Sequence, residues 1–438
     1  MNNKQKPDRS KAARHPSAAL NLRRQAAAML TAIEQGKTLD EATDHLRKLE
    51  PRDHAQARSI VLACLRHRGE IQALMNHALS KPIPARPHLA RALLQVGLAQ
   101  LCFLDMADHA AVNETVNACG RAEQAYRGLI HAVLRRIQRE RPKTDPAQNL
   151  PDWLQERWQS AYGADITSAM AKCISERPPL DLCFAREDMA DRWHTTYGAD
   201  LSAQRLAPQT IRLPDAGRVE LLPEYEQGIW WVQDFAAQMA ARGFSSPGEA
   251  LDLCAAPGGK TLQLASAGHA VTALDISANR LARLRANLER CQQNASIIQA
   301  DVIDWSPNQQ WSRVLLDAPC SATGTLRRHP DIALHRRPRD IEARAHLQRE
   351  LLDRAYSLTA IGGELIYCVC SLEVEEGEQQ AQAFSARQET ARLLPYAPHE
   401  LPAALAAAIL EDGTMRIRPD LLSGGVDGFF IARWQRLS

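Results

Sequence analysis

From residue 249 to residue 370 the chain repeats one pattern. A short apolar run ends at an acidic or small residue, and helical spacing follows. Residues 250–254 run into a glycine-rich turn, 270–274 into Asp275, 296–300 into Asp301 and 313–316 into Asp317, while 363–370 form a fifth run. Residues 281–288 and 347–358 carry helical spacing between them. Strands alternating with helices predict an α/β, Rossmann-like, mostly parallel sheet with helices on its faces. Open sheets of this kind bind ligands at the carboxyl ends of their strands, where these acids fall.

The first third of the chain reads differently. Leu22, Ala26, Met29, Leu30 and Ile33 share one helical face, as do Leu94, Leu98 and Leu101, and Ile130, Val133, Leu134 and Ile137. Pro82, Pro84 and Pro87 interrupt the helices. An all-helical bundle is expected over residues 1–140, then a proline-bearing linker over 141–152. Residues 153–174 read as helical, and 180–232 as short mixed segments. The expected division is therefore a bundle, a linker, a small α+β segment over 153–235 and the sheet domain over 236–438.

With 438 residues, two or three domains are expected. Hydrophobic residues make up 45% and charged ones 24%, as in soluble globular proteins. No apolar run is long enough to span a bilayer, and residues 1–14 are polar and basic, unlike a secretory signal. No membrane partner and a cytoplasmic location are expected. The ten cysteines are expected to be reduced. None forms a Cys-x-x-Cys pair, so no metal is expected.

A net charge of +2 says nothing about a nucleic-acid partner. Local clusters do more: Lys4, Lys6, Arg9, Lys11 and Arg14; Arg135, Arg136, Arg139 and Arg141; and Arg327, Arg328 and His329 with Arg336, Arg337 and Arg339. Each taken singly reads as a solvated face. Three in one chain weigh towards nucleic acid.

The turn Cys254-Ala255-Ala256-Pro257-Gly258-Gly259-Lys260 lies between a strand and a helix. Its glycines permit close approach of a ligand to the backbone, and Asp275 ends the next strand where a ribose-binding acid is expected. A phosphate loop would need glycine where Cys254 stands, and the dinucleotide glycine pattern is absent. S-adenosyl-L-methionine fits, with Asp275 on the ribose hydroxyls and Asp301 on the adenine amino group. Strand-end capping explains either acid alone. The pair at successive strand ends favours a cofactor.

Two cysteine clusters fall at the same sheet edge: Asp317-Ala318-Pro319-Cys320-Ser321-Ala322-Thr323-Gly324, and Tyr367-Cys368-Val369-Cys370-Ser371. Methylating carbon 5 of cytosine requires a thiolate to add at carbon 6 first, which makes the ring an enamine. The first cluster, followed by Arg327-Arg328-His329-Pro330-Asp331, resembles motif IV of the Nol/Nop/Sun family of RNA cytosine-5 methyltransferases. Residues 254–260 resemble its motif I, and Cys370-Ser371 with Glu375-Glu376 its motif VI. Gly424-Gly425-Val426-Asp427-Gly428-Phe429-Phe430 resembles its last strand, and Gln233-Asp234 its upstream motif. The resemblance implies that Cys370 is the nucleophile, that Cys320 helps release the product, and that Asp317 faces both cofactor and base.

The family usually has Thr-Cys in motif VI, where this chain has Val369-Cys370. Strand alternation puts Cys368 on the side of Cys370, and Cys368 is expected to be a buried core residue. DNA cytosine-5 enzymes use the cysteine of their Pro-Cys pair, which makes Cys320 the rival nucleophile.

His109-Ala110-Ala111-Val112-Asn113-Glu114-Thr115-Val116, and Arg127 through Ile137, resemble the NusB-type RNA-binding domain. That domain joined to this core is similar to bacterial 16S ribosomal RNA cytosine-5 methyltransferases. The resemblance covers nearly the whole chain and implies, as substrate, 16S rRNA of an unassembled or partly assembled small subunit. A monomer is expected. Two other classes compete: an RNA-binding assembly factor with an inactive methyltransferase fold, and a DNA cytosine-5 methyltransferase.

Overall fold

The computed structural model describes residues 16–85 and 89–438, so the basic cluster at Lys4–Arg14 and Pro87 lie outside the described residues. The chain divides into two units between Asn149 and Leu150.

The first unit is helical. Its principal helices are Pro16–Glu34, Pro51–Arg66, Arg68–Ala78, Ala90–Cys102, Asp108–Asn117 and Arg127–Glu140. The apolar stripes read from spacing are the buried ones: Leu22, Ala26, Met29, Leu30 and Ile33 are all shielded, as are Ile130, Val133, Leu134 and Ile137. Ala90–Cys102 is buried nearly all round and forms the centre. Gly97 lies on it, and a Cβ there would come within 2.9 Å of the side chains of Leu134 and Thr115. Its glycine thus lets neighbouring helices approach closely. The proline-bearing stretch up to Asn149 clusters with this unit. Thr144 Oγ1 donates to Glu70 Oε1 at 2.6 Å and Asn149 Nδ2 to Glu70 Oε2 at 2.7 Å. Asn149 Oδ1 accepts from the amides of Gly69 and Glu70, satisfying free N–H groups at the start of Arg68–Ala78.

The second unit opens with two helices, Asp152–Tyr162 and Ala164–Ser175. The spacing over 153–174 suggests one helix. Gly163, at φ 85°, breaks it in two. A four-stranded antiparallel sheet follows, built from β1 (Leu180–Phe184), β2 (Gln204–Ala207), β3 (Thr210–Leu213) and β4 (Trp230–Val232), in the order β2-β3-β1-β4. Leu182, Phe184, Trp193, Ile211, Leu213 and Trp230 form its own core.

The main sheet has eight strands: β5 (Glu249–Leu253), β6 (Ala270–Asp275), β7 (Ser296–Gln299), β8 (Trp311–Asp317), β9 (Thr359–Val369), β10 (Ala391–Leu393), β11 (Met415–Ile417) and β12 (Phe429–Arg436). Strands β9-β8-β5-β6-β7 are parallel, and β12 adds antiparallel to β9 with β10 and β11 paired on it. Residues 250–253 are buried on both faces, as helix-covered parallel strands require. Strand β9 starts before Gly363, where the apolar run begins, because Gly362-Gly363 forms a bulge inside the strand. Pairing with β8 shifts register there, from Trp311–Thr359 to Arg313–Glu364. Since β6 and β8 flank β5 on opposite sides, the chain reverses direction across the sheet between β5 and β8. The crevice for a ligand opens at that point.

Among the described residues, no helix is long and apolar enough to cross a membrane.

Candidate active site

Strands β5, β6 and β8 and the segment after β7 deliver their last residues to one edge. A cavity of about 420 Å³ lies there, with Cys254, Asp275, Asp301, Asp317, Cys320 and Cys370 in its wall. A second cavity, of about 290 Å³, is lined by Ala255, Pro257, Gly259 and Lys260, and shares Asp317 with the first. The turn after β5 therefore has one cavity on each side. Neither cavity is lined by Ala256 or Gly258. Ala256 N–H donates to Asp275 Oδ2 at 3.2 Å. Gly258, at φ 105°, turns the chain into the helix Gly259–Ser266, a conformation that disfavours any side chain. Cys254 (φ 59°) and Ala322 (φ 61°) are also left-handed without being glycine. Strain of that kind persists where surrounding structure over-determines the backbone.

Asp275 is 2% exposed. Its Oδ1 accepts from Ser277 N–H at 2.9 Å, and Arg280 lies 3.4 Å from Oδ2. Each carboxylate oxygen has a second lone pair for a ligand. Asp301 Oδ1 accepts from Ile303 N–H at 2.9 Å. Ile276 and Ile303, which follow these acids closely, are exposed large apolar residues in the cavity wall.

Lys260 Nζ donates to Asp317 Oδ2 at 2.8 Å and lies 5.0 Å from the centre of the Phe429 ring. Burial alone would lower the Lys260 ammonium, but the Asp317 carboxylate outweighs it and pushes its pKa up. Deeper on β5, burial pushes Asp252 up to about 7 against the opposing Thr261 hydroxyl, which donates to it at 2.6 Å.

Cys320 Sγ and Cys370 Sγ are 3.4 Å apart. Two backbone bonds hold the loops that carry them: Ala318 N–H to Cys368 O at 3.0 Å, and Gly324 N–H to Cys370 O at 3.1 Å. The bond to Cys370, then burial, raises the Cys320 pKa well above the usual thiol range. Cys368 is fully buried, and its Sγ donates to Asp317 Oδ1 at 3.5 Å. Burial, then Asp317, raises its pKa as well. The sequence reading missed this second contact. The parallel register of β8 and β9, which pairs Asp317 with Cys368, is what creates it.

Residues 245–435 match the family described as 16S rRNA methyltransferase RsmB/F, and residues 20–139 match the NusB family. The ribosomal RNA small subunit methyltransferase B of an Escherichia coli strain is 35% identical over 435 residues, covering 94% of this chain and 98% of that protein. The chain belongs to the RsmB/F methyltransferase family. Its fold is similar to the crystal structure of PH0851, with TM-score 0.71 and 22% identity over 94% of this chain and 99% of that one. It is also similar to NSun6 from Pyrococcus horikoshii with SFG, with TM-score 0.56 and 18% identity over 66% of this chain and 98% of that one.

In this RsmB/F member, two arginines of the basic cluster at 327–339 do not form a solvated face. Arg327 is fully buried. Arg328 donates through Nη2 to Asp234 at 2.7 Å and through Nε to Asp427 at 3.1 Å. A buried arginine needs paired anions, and the two other motifs supply them. Asp427 is pushed up to about 7 by burial and by the neighbouring Asp234. His329, Arg337 and Arg339 do remain exposed. Gly324 and Gly428 pass backbone to backbone, with Gly428 N–H donating to Gly324 O at 2.8 Å. All ten cysteines are free.

Proposed function

We propose that this chain methylates carbon 5 of a specific cytosine in 16S ribosomal RNA, with S-adenosyl-L-methionine as donor and Cys370 as covalent nucleophile. The observation that carries the reading is the pair of sulfurs, 3.4 Å apart, in the wall of the cavity lined by Asp275, Asp301 and Asp317. The RNA substrate rests on the relatives' printed name and on the NusB match.

The residues fit the cofactor. Acids at successive strand ends accept from hydroxyl and amino groups, Ile276 and Ile303 offer apolar surface, and the volume lies in the usual ligand-pocket range. Asp275 would hold the ribose hydroxyls and Asp301 the adenine amino group. The turn 254–260 would support the rest, and the bound cofactor supplies an electrophilic methyl group on a sulfonium.

The chain's own residues do the remaining chemistry. Cys370 Sγ, as thiolate, bonds to carbon 6 of the cytosine, and the displaced π electrons make carbon 5 nucleophilic. Asp317, held by Lys260, orients the base next to the donor. Once carbon 5 carries the methyl group, a base takes its remaining proton, the freed electron pair re-forms the bond between carbons 5 and 6, and the carbon–sulfur bond breaks to return Cys370 as thiolate. Cys320 serves that release. The target base must leave its stack to reach these sulfurs.

Methyl transfer to unmodified 16S rRNA, with the product nucleoside identified by mass spectrometry, tests the reading. Cys370→Ala is expected to abolish turnover, and Cys320→Ala to trap a covalent protein–RNA adduct. Turnover by Cys370→Ala would instead make Cys320 the nucleophile, as in a DNA enzyme. Absence of any transfer by the wild type would leave an RNA-binding assembly factor.

A further inference from the structure

Glu376 lies in the turn after β9 and is fully buried. It lines neither cavity described above. Four donors converge on its carboxylate. Oε1 accepts from Ser321 N–H at 2.8 Å and from Gln348 Nε2 at 3.1 Å. Oε2 accepts from the hydroxyls of both Ser321 and Ser371. Ser321 follows Cys320, and Ser371 follows Cys370. One oxygen atom thus ties together the residues next to the two cysteines. Their hydroxyl oxygens are 3.1 Å apart, beside sulfurs 3.4 Å apart.

The surroundings reinforce the tie. Gln348 Nε2 also donates to Pro319 O at 3.0 Å, which binds the first loop to the same point. Leu372 N–H donates to Thr323 Oγ1 at 3.0 Å, crossing between the loops again. Glu373 N–H donates to Ser371 Oγ at 3.0 Å, so that hydroxyl has a donor of its own and turns its proton to Glu376. Every group facing the carboxylate is a donor. Burial raises the Glu376 carboxyl above its ordinary value, and the bonds from Ser321, Ser371 and Gln348 oppose that shift; a side chain that accepts through both oxygens meets all four.

We infer that Glu376 is a positioning residue that sets the separation of the two reacting sulfurs without touching substrate or cofactor. The inference rests on the two-cysteine reading above. A single base has to meet Cys370 in one step and Cys320 in a later one, so neither loop can slip against the other. A misplacement of about 1 Å is worth roughly a hundredfold in rate.

The test uses the full chain and the isosteric Glu376→Gln, whose amide nitrogen would face donors in place of one oxygen. Ser321→Ala, a smaller cut in the same tie, is the second variant. One readout needs no turnover: diamide-driven Cys320–Cys370 cross-linking, scored by peptide mass spectrometry. Cross-linking is expected to be slowed roughly tenfold in Glu376→Gln, and less in Ser321→Ala. The other readout is kinetic. In Glu376→Gln, kcat is expected to fall by roughly a hundredfold with the KM for RNA and the affinity for S-adenosylmethionine within about twofold. In a Cys320→Ala background the adduct is expected to form more slowly by the same factor. Unchanged cross-linking in both variants, or a loss of cofactor affinity matching the loss of kcat, would overturn the inference. If the cross-linking slows as expected but no adduct forms even with Glu376 intact, the tie stands and the covalent mechanism fails.

Discussion

Arg328 Nη2 donates to Asp234 Oδ2 at 2.7 Å, joining residues 94 apart in sequence. Asp234 Oδ1 accepts from Ala236 N–H and from Asp427 N–H, so the same carboxylate caps the helix Phe235–Ala241 and holds the segment before β12. Arg328→Ala would leave Asp234 and Asp427 buried without the guanidinium that donates to both. A loss of about 3–5 kcal/mol is expected for such a site, read as a lower urea midpoint for the second unit by tryptophan fluorescence. A midpoint within error of wild type would contradict this account of the pair.

Gly324→Ala makes a steric prediction. A Cβ there would lie 2.1 Å from Gly428 O, against backbone that has no flexible end to move. Overpacking of this kind costs about 1–3 kcal/mol or more, and here it would push the Cys320 loop from β12. Lower thermal stability together with lost methyl transfer is expected, whereas Gly128→Ala, with open space around it, is expected to behave as wild type in both assays.

Asp275→Ala removes the acceptor for Ala256 N–H and Ser277 N–H as well as the proposed ribose contact. Hydrogen bonds to a charged group are worth about 1.5–3 kcal/mol, so affinity for S-adenosylmethionine is expected to fall by about ten- to a hundredfold. Isothermal titration checks it. RNA binding by filter retention is expected to hold, and a parallel loss there would point to unfolding rather than to the cofactor site.

Glu70 gives the helical unit a pH dependence. Burial would raise its carboxyl, but the His67 ring, the Thr144 hydroxyl and the Asn149 amide outweigh burial and hold its pKa below the ordinary value. An acid depressed in the folded state stabilises it above the unfolded pKa of about 4.3, and loses that effect as pH falls through the folded value. Hydrogen exchange of Arg68–Ala78 should therefore quicken in Glu70→Gln relative to wild type at pH 7. The two should converge as the solution is acidified below pH about 4. A gap that widens on acidification would reverse the sign argued here.

Much of this architecture was legible in the residues. The apolar stripes at Leu22–Ile33 and Ile130–Ile137 are period-3.6 patterns that only a helix can bury, and the runs ending at Asp275 and Asp317 are strands that end there. What local pattern could not supply was pairing between distant segments. Gly363 reads as the start of β9 and lies inside it, at a register shift, because the register with β8 decides where pairing begins. Arg327 and Arg328 read as a basic surface because charge in sequence carries no direction. The acids that draw Arg328 inward come from positions 234 and 427. Cys254, Asp275, Asp301, Asp317, Cys320 and Cys370 were named from strand ends and motif resemblance, and they line one cavity. Ala255, Pro257, Gly259 and Lys260, named in the same run, line a neighbouring cavity that shares Asp317. Arg280, Arg344 and Leu347 in the wall went unread, since nothing in a helix sequence marks which exposed residue overhangs a strand end.

The antiparallel insertion of β12 beside β9 has a bearing on how the protein is born. Synthesis runs from the amino end, and domains tend to fold as they emerge. Until residues 424–436 leave the ribosome, the strand that leads to Cys370 has an open hydrogen-bonding edge, and Lys260 lacks the Phe429 ring beneath it. Assembly of the reactive centre therefore awaits synthesis of residues 424–436, so a translation product that stops short of them carries both thiols without β12 beside them.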